Sequence, residues 1–574
     1  MLLVPFVVTP LFLKGDPMDR QFWTLAVHFF SRFFDRDSAS DDADPLQRMI
    51  QLLAMLSVPG LMLSFFLLPD HPSTPWVRIT ELDRTWLQIS DHYVFVCYAF
   101  VVMGLVMTFK WDSLFPDRRD YLILTSLPIS VRRLFAAKVV ALCAFLLLFV
   151  VAINFFSMVL IPAVHPQMLA GHALGVLSAS TFAALFFAGL QGVLINLLPP
   201  NAFRRISPSI QMVSIALLIT VLLITPLVKE SIRPLSQTKS PILDYFPFMW
   251  FLGIYESLIP SAEIIPQSSV WMGTALKAIG IVAVVFTLSY FVGYRRHSRK
   301  ILESIEANDF APGRLEILAK EALNRSILRN PFQRAAFYFM GKVSSRSARH
   351  RILTALYTGA GLALAMSSLF AIDRRLAFPF RISTVGVLEA PVILSFLVVS
   401  GLRATFNVPY QLEANWVFQT VDGGAGEYLK AIRKWVFFCR ILPLYGLVAL
   451  FEFAWFDRRT AAFHLIFDLV MTAFLTEAFF FSFNKVPFTC AYLRNRLHLA
   501  LLSVGYLLGF TTYVSATGNL KRWVSADPLH IQRFLAFSAI VFGFILIYRW
   551  RSRGQTVKIV YAETDSVFQQ LNLS

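Results

Sequence analysis

The stretch Lys110–Lys138, KWDSLFPDRRDYLILTSLPISVRRLFAAK, is charged, contains two prolines and lies between two long apolar runs. Neither the run before it, Tyr93–Phe109, nor the run after it, Val139–Ile161, carries a charged residue. A helix needs about 20 apolar residues to cross the hydrocarbon core of a bilayer, and each run approaches that length. We therefore expect two membrane spans here, joined by a hinge that turns in water.

The hinge sequence predicts a short amphipathic helix and then the entry to the next span. Pro116 suits the first turn of a helix, and Asp117 and Asp120 favour its positive end. Apolar side chains recur at every third position along one face, at Tyr121, Leu124 and Leu127. Ser130 can cap the following helix, whose first turns carry Arg132 and Arg133. The same pattern also fits an ordinary amphipathic turn lying on lipid headgroups.

Composition places the chain among membrane proteins. Of its 574 residues, 56% are hydrophobic and 15% are charged, and the mean hydropathy is +0.61. Soluble proteins carry about 25% charged residues. The four cysteines lie far apart with no CxxC pair, so we expect neither a disulfide framework nor a metal site. The opening MLLVPFVVTP lacks a basic region and a small-residue cleavage site, which argues against a removable signal peptide.

The predicted fold is an all-α polytopic membrane protein of about 12 transmembrane helices in two six-helix half-repeats. We expect an N-terminal cytoplasmic segment with an amphipathic helix at 1–48, membrane units at 49–294 and 352–548, a basic linker at 295–351 and a tail at 549–574. The predicted spans are Met49–Leu68, Tyr93–Phe109, Val139–Ile161, Met168–Leu198, Ile210–Leu227, Met272–Tyr294, Ile352–Ile372, Val385–Leu402, Trp435–Phe456, Phe463–Phe483, Leu499–Val514 and Phe534–Tyr548.

The basic residues predict the orientation. With both termini in the cytoplasm, the inside segments hold 37 Lys and Arg and the outside loops hold 13. Cytoplasmic loops of membrane proteins carry the excess of Lys and Arg. The net charge of +17 is therefore explained by orientation, and we expect no nucleic-acid partner.

A second hinge occupies the matching place in the second half, at Arg403–Trp435. Pro409 corresponds to Pro116, and Lys430, Arg433 and Lys434 precede the next span. The distance from the proline to the basic pair is about eight residues longer than in the first half. This pattern predicts a duplication whose halves are related by an axis along the membrane normal.

The hinge DRRDYLILTSLPISVRRLFAAK resembles the segment after the second span in permease subunits of type-2 ABC exporters, here in a double-length fused form. The amphipathic stretch Gln21–Asp37 resembles the elbow helix of that family, and Asp244–Glu256 resembles its external re-entrant segment. The resemblance implies that the hinges couple to a separate ATPase through Asp117, Arg118, Asp120, Leu124, Leu127, Arg132, Arg133, Leu412, Glu413 and Trp416. It also implies an external gate at Tyr245, Phe248 and Trp250, residues that equally fit plain anchoring at the membrane interface.

The chain lacks a nucleotide-binding motif, because no GxxxxGK[ST] occurs. We therefore expect a transport subunit that is not itself an enzyme and binds no cofactor, with ATP and Mg used by two copies of an ABC ATPase partner. The expected location is the bacterial plasma (inner) membrane. The substrate is unidentified; an apolar, aromatic interior suits hydrophobic molecules, but lipid-facing surfaces are apolar too.

Four ionisable residues fall within predicted spans of the second half: Glu452, His464, Asp468 and Glu477. Such groups are costly at membrane depth and often functional. One interpretation is a structural cluster in which Asp468 pairs with His464 or Arg440. Another is an ion-coupled secondary transporter that uses these acids. A third is a membrane-embedded enzyme acting on lipids, for which only the His464 and Asp468 pair is available.

Overall fold

A computed structural model describes residues 17–34, 45–67, 81–114, 129–237, 241–259, 267–303, 314–372, 380–410, 425–481, 483, 485–489 and 496–551. These residues form two compact units. The first unit contains the described residues up to 303, except 215–224. The second contains 215–224, 314–371 and the described residues from 380 onward.

The first unit is built from nine helices in the described part of the chain. In chain order they are α1 (Pro17–Arg32), α2 (Pro45–Leu67), α3 (Glu81–Phe109), α4 (Val131–Val164), α5 (Leu169–Leu197), α6 (Pro200–Gln237), α7 (Ile242–Tyr245), α8 (Pro247–Ser257) and α9 (Ser268–Glu303). Short 3-10 turns lie at Trp111–Ser113 and Pro166–Met168.

The second unit continues with nine further α-helices and a small hairpin in its described residues. They are α10 (Arg314–Ser326), α11 (Pro331–Arg346), α12 (Ala348–Leu369), β1 (Phe370–Ile372), β2 (Phe380–Ile382), α13 (Thr384–Phe406), α14 (Ala425–Val436), α15 (Leu442–Trp455), α16 (Arg458–Phe480), α17 (Arg496–Ser525) and α18 (Pro528–Arg551). The strands pair in a two-stranded sheet.

Eleven helices in the described part of the chain are long and apolar enough to cross a membrane. The protein is thus helical and, by the length and composition of these helices, multi-pass. The predicted span Leu499–Val514 lies within α17, which is not among the eleven. The count of twelve therefore stays a prediction, and so do the half-repeats.

Helix α3 is the centre of the first unit. In its apolar window 78% of the residues are buried, against 11% for α2 and 17% for α9. Side chains such as Phe65 and Phe66 on α2 stay exposed, at 57% and 69%. A bilayer accepts such surfaces, because lipid tails are as apolar as the side chains that face them.

Two glycines allow α12 and α13 to approach closely in the second unit. A Cβ at Gly401 would lie 2.5 Å from the Cβ of Tyr357, and one at Gly386 would overlap the carbonyl of Ser368. Small residues at helix interfaces are the usual means of close packing in membranes.

A π-helical turn, Phe437–Ile441, joins α14 to α15. Pro443 lies in the first turn of α15 and has no N–H to donate to the carbonyl of Cys439, four residues earlier. The α-helical hydrogen bond from residue 443 to residue 439 therefore cannot form, and the helix accommodates one extra residue in a wider, π-helical turn.

Candidate functional site

Most residues predicted to contact an ATPase lie outside the described residues. Only the two that open α4 are described, and they stand at the start of a helix, with Arg132 exposed and Arg133 partly buried. The residues outside the described ranges are Asp117, Arg118, Asp120, Leu124, Leu127, Leu412, Glu413 and Trp416. The structure does, however, describe the points where the chain enters both hinges.

In the first unit the hinge entry is bonded to the connection between α5 and α6. The indole Nε1 of Trp111 donates to Ser207 Oγ at 2.8 Å, and Gln191 Nε2 donates to the Trp111 carbonyl at 2.5 Å. One turn earlier, Gln211 Nε2 donates to the carbonyl of Thr108 at 2.8 Å. All these side chains are buried. The last residues before the hinge therefore move together with the ends of α5 and α6.

Lys138 on α4 connects the same entry to the interfacial helix α1. Its ammonium group lies 3.3 Å from the carbonyl of Ser113 and 5.1 and 4.8 Å from the ring centroids of Phe29 and Phe33. Only 3% of Lys138 is exposed. Phe33 also stacks on Phe145 of α4 at 4.5 Å. The predicted apolar face of α1 thus packs on α4, with the lysine cation over its aromatic rings.

In the second unit the hinge entry is bonded to the segment between α16 and α17. Phe488 donates its backbone N–H to the carbonyl of Phe406 at 3.0 Å and accepts from the N–H of Tyr410 at 2.8 Å. Phe488 is fully buried and has a φ of 69°, a backbone conformation that bulky residues rarely adopt. Packing therefore holds Phe488 in an unfavourable conformation at the base of this hinge.

His350 connects this second entry to the junction of α11 and α12. Its Nε2 lies 3.0 Å from the carbonyl of Val408, and its Nδ1 lies 2.6 Å from Ser347 Oγ. A carbonyl only accepts, so Nε2 carries the proton, and Nδ1 of the neutral ring accepts from the serine hydroxyl. The ring also meets Phe488 edge-on at 4.6 Å.

The basic residues that follow the second hinge bind α11 and the residues just before it. Lys434 Nζ donates to the carbonyl of Ile327 and to Gln333 Oε1, both at 2.6 Å. Arg440, in the π-helical turn, donates to Ser344 Oγ at 2.7 Å and lies 5.2 Å from the ring centroid of Trp435. The basic linker predicted at 295–351 thus contains a helix, α11, that these cations hold against α14.

The segment that was predicted to be external contains two short helices, α7 and α8, and the predicted gate residues differ in exposure there. Tyr245 is 82% exposed, whereas Phe248 is buried against Phe100, with ring centroids 5.0 Å apart. Trp250 is partly buried and donates to the carbonyl of Asp244 at 2.6 Å. With 11 residues, α8 is about 17 Å long, too short to cross a bilayer of about 30 Å.

Polar side chains hold α8 to α3 and α5, and sequence analysis did not identify them. His92 Nδ1 lies 2.6 Å from Glu256 Oε1, and both side chains are 8% exposed. The Tyr255 hydroxyl lies 2.9 Å from His172 Nδ1. Burial raises the pKa of Tyr255 well above its usual range, with Glu256 and Asp91 adding to the effect, so the hydroxyl keeps its proton.

An ion pair between Lys229 and Asp91 lies one residue from this contact and joins α6 to α3. Asp91 and His92 directly precede the predicted span Tyr93–Phe109 and were assigned to an outside loop. The signal that could have identified them is the density of ionisable residues just before an uncharged run.

The intramembrane acids of the second half pair differently from the prediction. His464 Nδ1 lies 3.2 Å from Glu452 Oε2, and Lys521 Nζ lies 2.8 Å from Asp468 Oδ2. Neither His464 nor Arg440 is the partner of Asp468. Lys521 was assigned to an outside loop, but it lies in α17 and is fully buried. Glu477 lies 3.5 Å from Arg433 Nε, apart from these two pairs.

Comparison of this chain with protein-family models, with curated proteins and with solved structures finds no match.

Proposed function

We propose that this chain is the transmembrane permease subunit of an ATP-driven ABC exporter of type-2 architecture. It moves an unidentified substrate across a bacterial plasma membrane, while two copies of a separate ATPase subunit bind and hydrolyse ATP with Mg. Both termini lie in the cytoplasm, and twelve spans form two six-helix halves. The observation that carries the proposal is that both hinge entries are bonded to residues at or near the connection between the fourth and fifth helices of their half.

Each entry is attached at two sides. On one side it bonds to the connection between the fourth and fifth helices of its half, through Trp111 in the first and Phe488 in the second. On the other side Lys138, on the third span, links the first entry to α1. The neutral ring of His350, at the start of the first span, links the second entry to Ser347 at the end of α11. A displacement of either hinge would therefore be transmitted to several spans of its half at once.

The elbow-like helices support the duplication. Helices α1 and α11 each have 16 residues, begin with proline and come before the first span of their half. Each contacts a cation from the third span of its half, Lys138 on α4 or Arg440 before α15. Six residues separate Arg132 from Lys138, and seven separate Arg433 from Arg440. The π-helical turn supplies the one additional residue.

The buried external segment also supports this architecture. It consists of helices too short to span the membrane, yet it packs among α3, α5 and α9 and comes just before the sixth predicted span. In the family that the hinge resembles, such a segment stands at the outer end of the transport route. Here the His92–Glu256 contact would hold that end closed.

The first test is purification of the tagged chain from its native host in mild detergent, with identification of co-purifying proteins by mass spectrometry. We expect a stoichiometric ATPase of about 25–35 kDa, sized from the usual range for one domain or two small ones. If the folded chain purifies intact without any ATPase, the proposal fails.

Charge reversal at the hinge is the second test. In the variant Arg132→Glu, Arg133→Glu we expect the permease-dependent part of ATP hydrolysis to fall several-fold, because these side chains open the helix that leaves the hinge. The control is the variant Arg458→Glu, Arg459→Glu, which reverses an exposed basic pair at the start of α16, in a predicted outside loop. Unchanged ATP hydrolysis in the hinge variant, with membrane insertion intact, would contradict the assigned role of the hinge.

A further inference from the structure

Four ionisable side chains from three helices gather in the interior of the second unit. Glu452 on α15, His464 and Asp468 on α16 and Lys521 on α17 are each at most 3% exposed. Aromatic rings surround His464, with Phe456 at 4.9 Å and Phe463 at 5.8 Å between centroids. The cluster is thus removed from water in a part of the protein that is otherwise apolar.

The two pairs in this cluster, Asp468 with Lys521 and Glu452 with His464, differ in the number and length of their hydrogen bonds. Lys521 binds Asp468 Oδ2 at 2.8 Å and lies 3.4 Å from the carbonyl of Leu388. The Tyr445 hydroxyl donates to the Asp468 backbone carbonyl at 3.1 Å. The contact between Glu452 and His464 is longer, at 3.2 Å. Two buried carboxylate oxygens, Glu452 Oε1 and Asp468 Oδ1, have no hydrogen-bond partner among the described residues.

The charges of the cluster do not cancel unless a proton is added. With His464 neutral, two carboxylates face one ammonium group, and the sum is −1. An uncompensated charge away from water is very costly, whereas one proton on Glu452 or His464 brings the sum to zero. One proton needs no ligands beyond these two side chains, and no group of three or more His, Cys, Asp or Glu in the described part of the chain is arranged to hold a metal ion.

The pair lies close to the turn between α15 and α16, which gives a proton a short route. Glu452 is three residues before the end of α15, and His464 is six residues after the start of α16, about 9 Å along the helix. Asp457 at this turn is exposed. Hydrogen bonds from the side chain and N–H of Thr460 lower the pKa of Asp457, so it stays ionised beside the route.

The other charged groups near the cluster come from the neighbouring helices. Glu389 on α13 lies beside Gly518 of α17, where a Cβ would be 3.4 Å from its carboxylate. His530 on α18 stacks on Trp523 of α17 at 3.9 Å. Within the cluster, Asp468 pairs with Lys521 and also interacts electrostatically with Glu452 and His464.

We propose that the Glu452–His464 pair is a proton-binding site of the second unit. It takes one proton from the aqueous phase at the α15–α16 turn and returns it there, beside the ion pair of Asp468 with Lys521. The site needs no ATPase, so this inference goes beyond the proposed function and stands or falls separately from it.

The test counts protons taken up by the purified full-length chain in lipid nanodiscs, with a pH indicator. The pH is lowered from about 8 to about 5.5, a range in which an ordinary glutamate, with a pKa near 4.3, stays ionised. We expect the wild type to take up about one more proton per chain than Glu452→Gln. The variant His464→Gln should show a similar loss, but an ordinary histidine also titrates in this range. A second variant at the carboxylate, Glu452→Leu, therefore protects the test if Glu452→Gln fails to fold.

The matched control is Glu321→Gln, because Glu321 is an exposed glutamate of α10 that pairs with Arg325 at 2.6 Å. Its proton uptake should equal that of the wild type. If folded Glu452→Gln, folded Glu452→Leu or folded His464→Gln, checked by helicity and gel filtration, takes up as many protons as the wild type, the pair holds a fixed charge state and the proposal is overturned.

Discussion

Lys521 and Asp468 form an ion pair in which both side chains are 0% exposed, within a helix bundle that faces lipid. Removing two charges from water costs several kcal/mol per ion, and their attraction compensates only while both are present. The pair is therefore most sensitive to the loss of one partner. A lysine is tolerated at position 521, away from water, because Asp468 on the neighbouring helix compensates its charge.

We expect Lys521→Met to lower the free energy of unfolding by about 3–5 kcal/mol, the usual cost of leaving a buried charge without its partner. The double variant Lys521→Met, Asp468→Leu should recover most of this loss, because it removes both charges. The measurement is the loss of helicity during titration of the detergent-solubilised protein with a denaturing detergent.

Arg522→Met is the matched control, since Arg522 is the next residue and is exposed. It should unfold much like the wild type. Equal destabilisation by Lys521→Met and Arg522→Met would mean that the buried pair adds no stability of its own.

Sequence patterns located the acids of this cluster but not their partners. Glu452 and Asp468 are conspicuous because each interrupts an apolar run. Lys521 follows Asp468 by 53 residues, and nothing local to Lys521 distinguishes it from the loop residue that the charge pattern predicted. Helix α17 continues to Ser525, and the buried carboxylate that compensates the lysine comes from another helix, a contact that only the folded protein shows.

At the scale of the element, α8 is positioned by glycines as much as by polar contacts. A Cβ at Gly253 would lie 2.5 Å from the Cβ of Trp271, and one at Gly175 would lie 3.0 Å from Tyr255. The short helix thus approaches α9 and α5 so closely that no larger side chain fits at those points. The resemblance of the sequence predicted a short segment here, but the close contacts that position α8 against α9 and α5 are visible only in the structure.

We expect Gly253→Val to displace α8 from α9, at a cost of about 1–3 kcal/mol, because an over-packed contact must shift the backbone. The readout is the rate at which a cysteine in place of Phe248 reacts with a water-soluble thiol reagent, in an otherwise cysteine-free background. The reaction should become several-fold faster when Gly253 is replaced.

Gly273 provides the control for this experiment. It lies on α9, and a Cβ there would meet no atom of the described residues within 4 Å, so Gly273→Val should leave the reaction rate unchanged. A similar rate in both valine variants would show that the Gly253 contact does not seat the helix.

For the whole molecule, the sequence predicted the helical, multi-pass character well, because runs of about 20 apolar residues are typical of membrane-spanning helices. The ends of the helices were less predictable. The fifth predicted span ends at Leu227, whereas α6 continues to Gln237, past Lys229, which pairs with Asp91. A prediction from the local sequence ends a span at a charged residue. In the folded protein, a partner of opposite charge on another helix allows the helix to continue past that residue.

The predicted orientation can be tested with two single cysteines on the described surface. Ser345 on α11 belongs to the predicted cytoplasmic segment, and Arg459 at the start of α16 to a predicted outside loop; both are exposed. In intact cells a membrane-impermeant thiol reagent should label Arg459→Cys and leave Ser345→Cys unlabelled until the membrane is opened. The reverse pattern would invert the positive-inside assignment.

The π-helical turn at Phe437–Ile441 has a consequence for the predicted duplication of the chain. One inserted residue would rotate everything after it by about 100° in a helix of 3.6 residues per turn, but a wide turn absorbs the change locally. A descent from one ancestral half therefore predicts a single-residue gap inside a helix, where ordinary alignments place none. With a gap at Cys439, Arg440 would fall opposite Lys138, and the two predicted halves would share one register after that point.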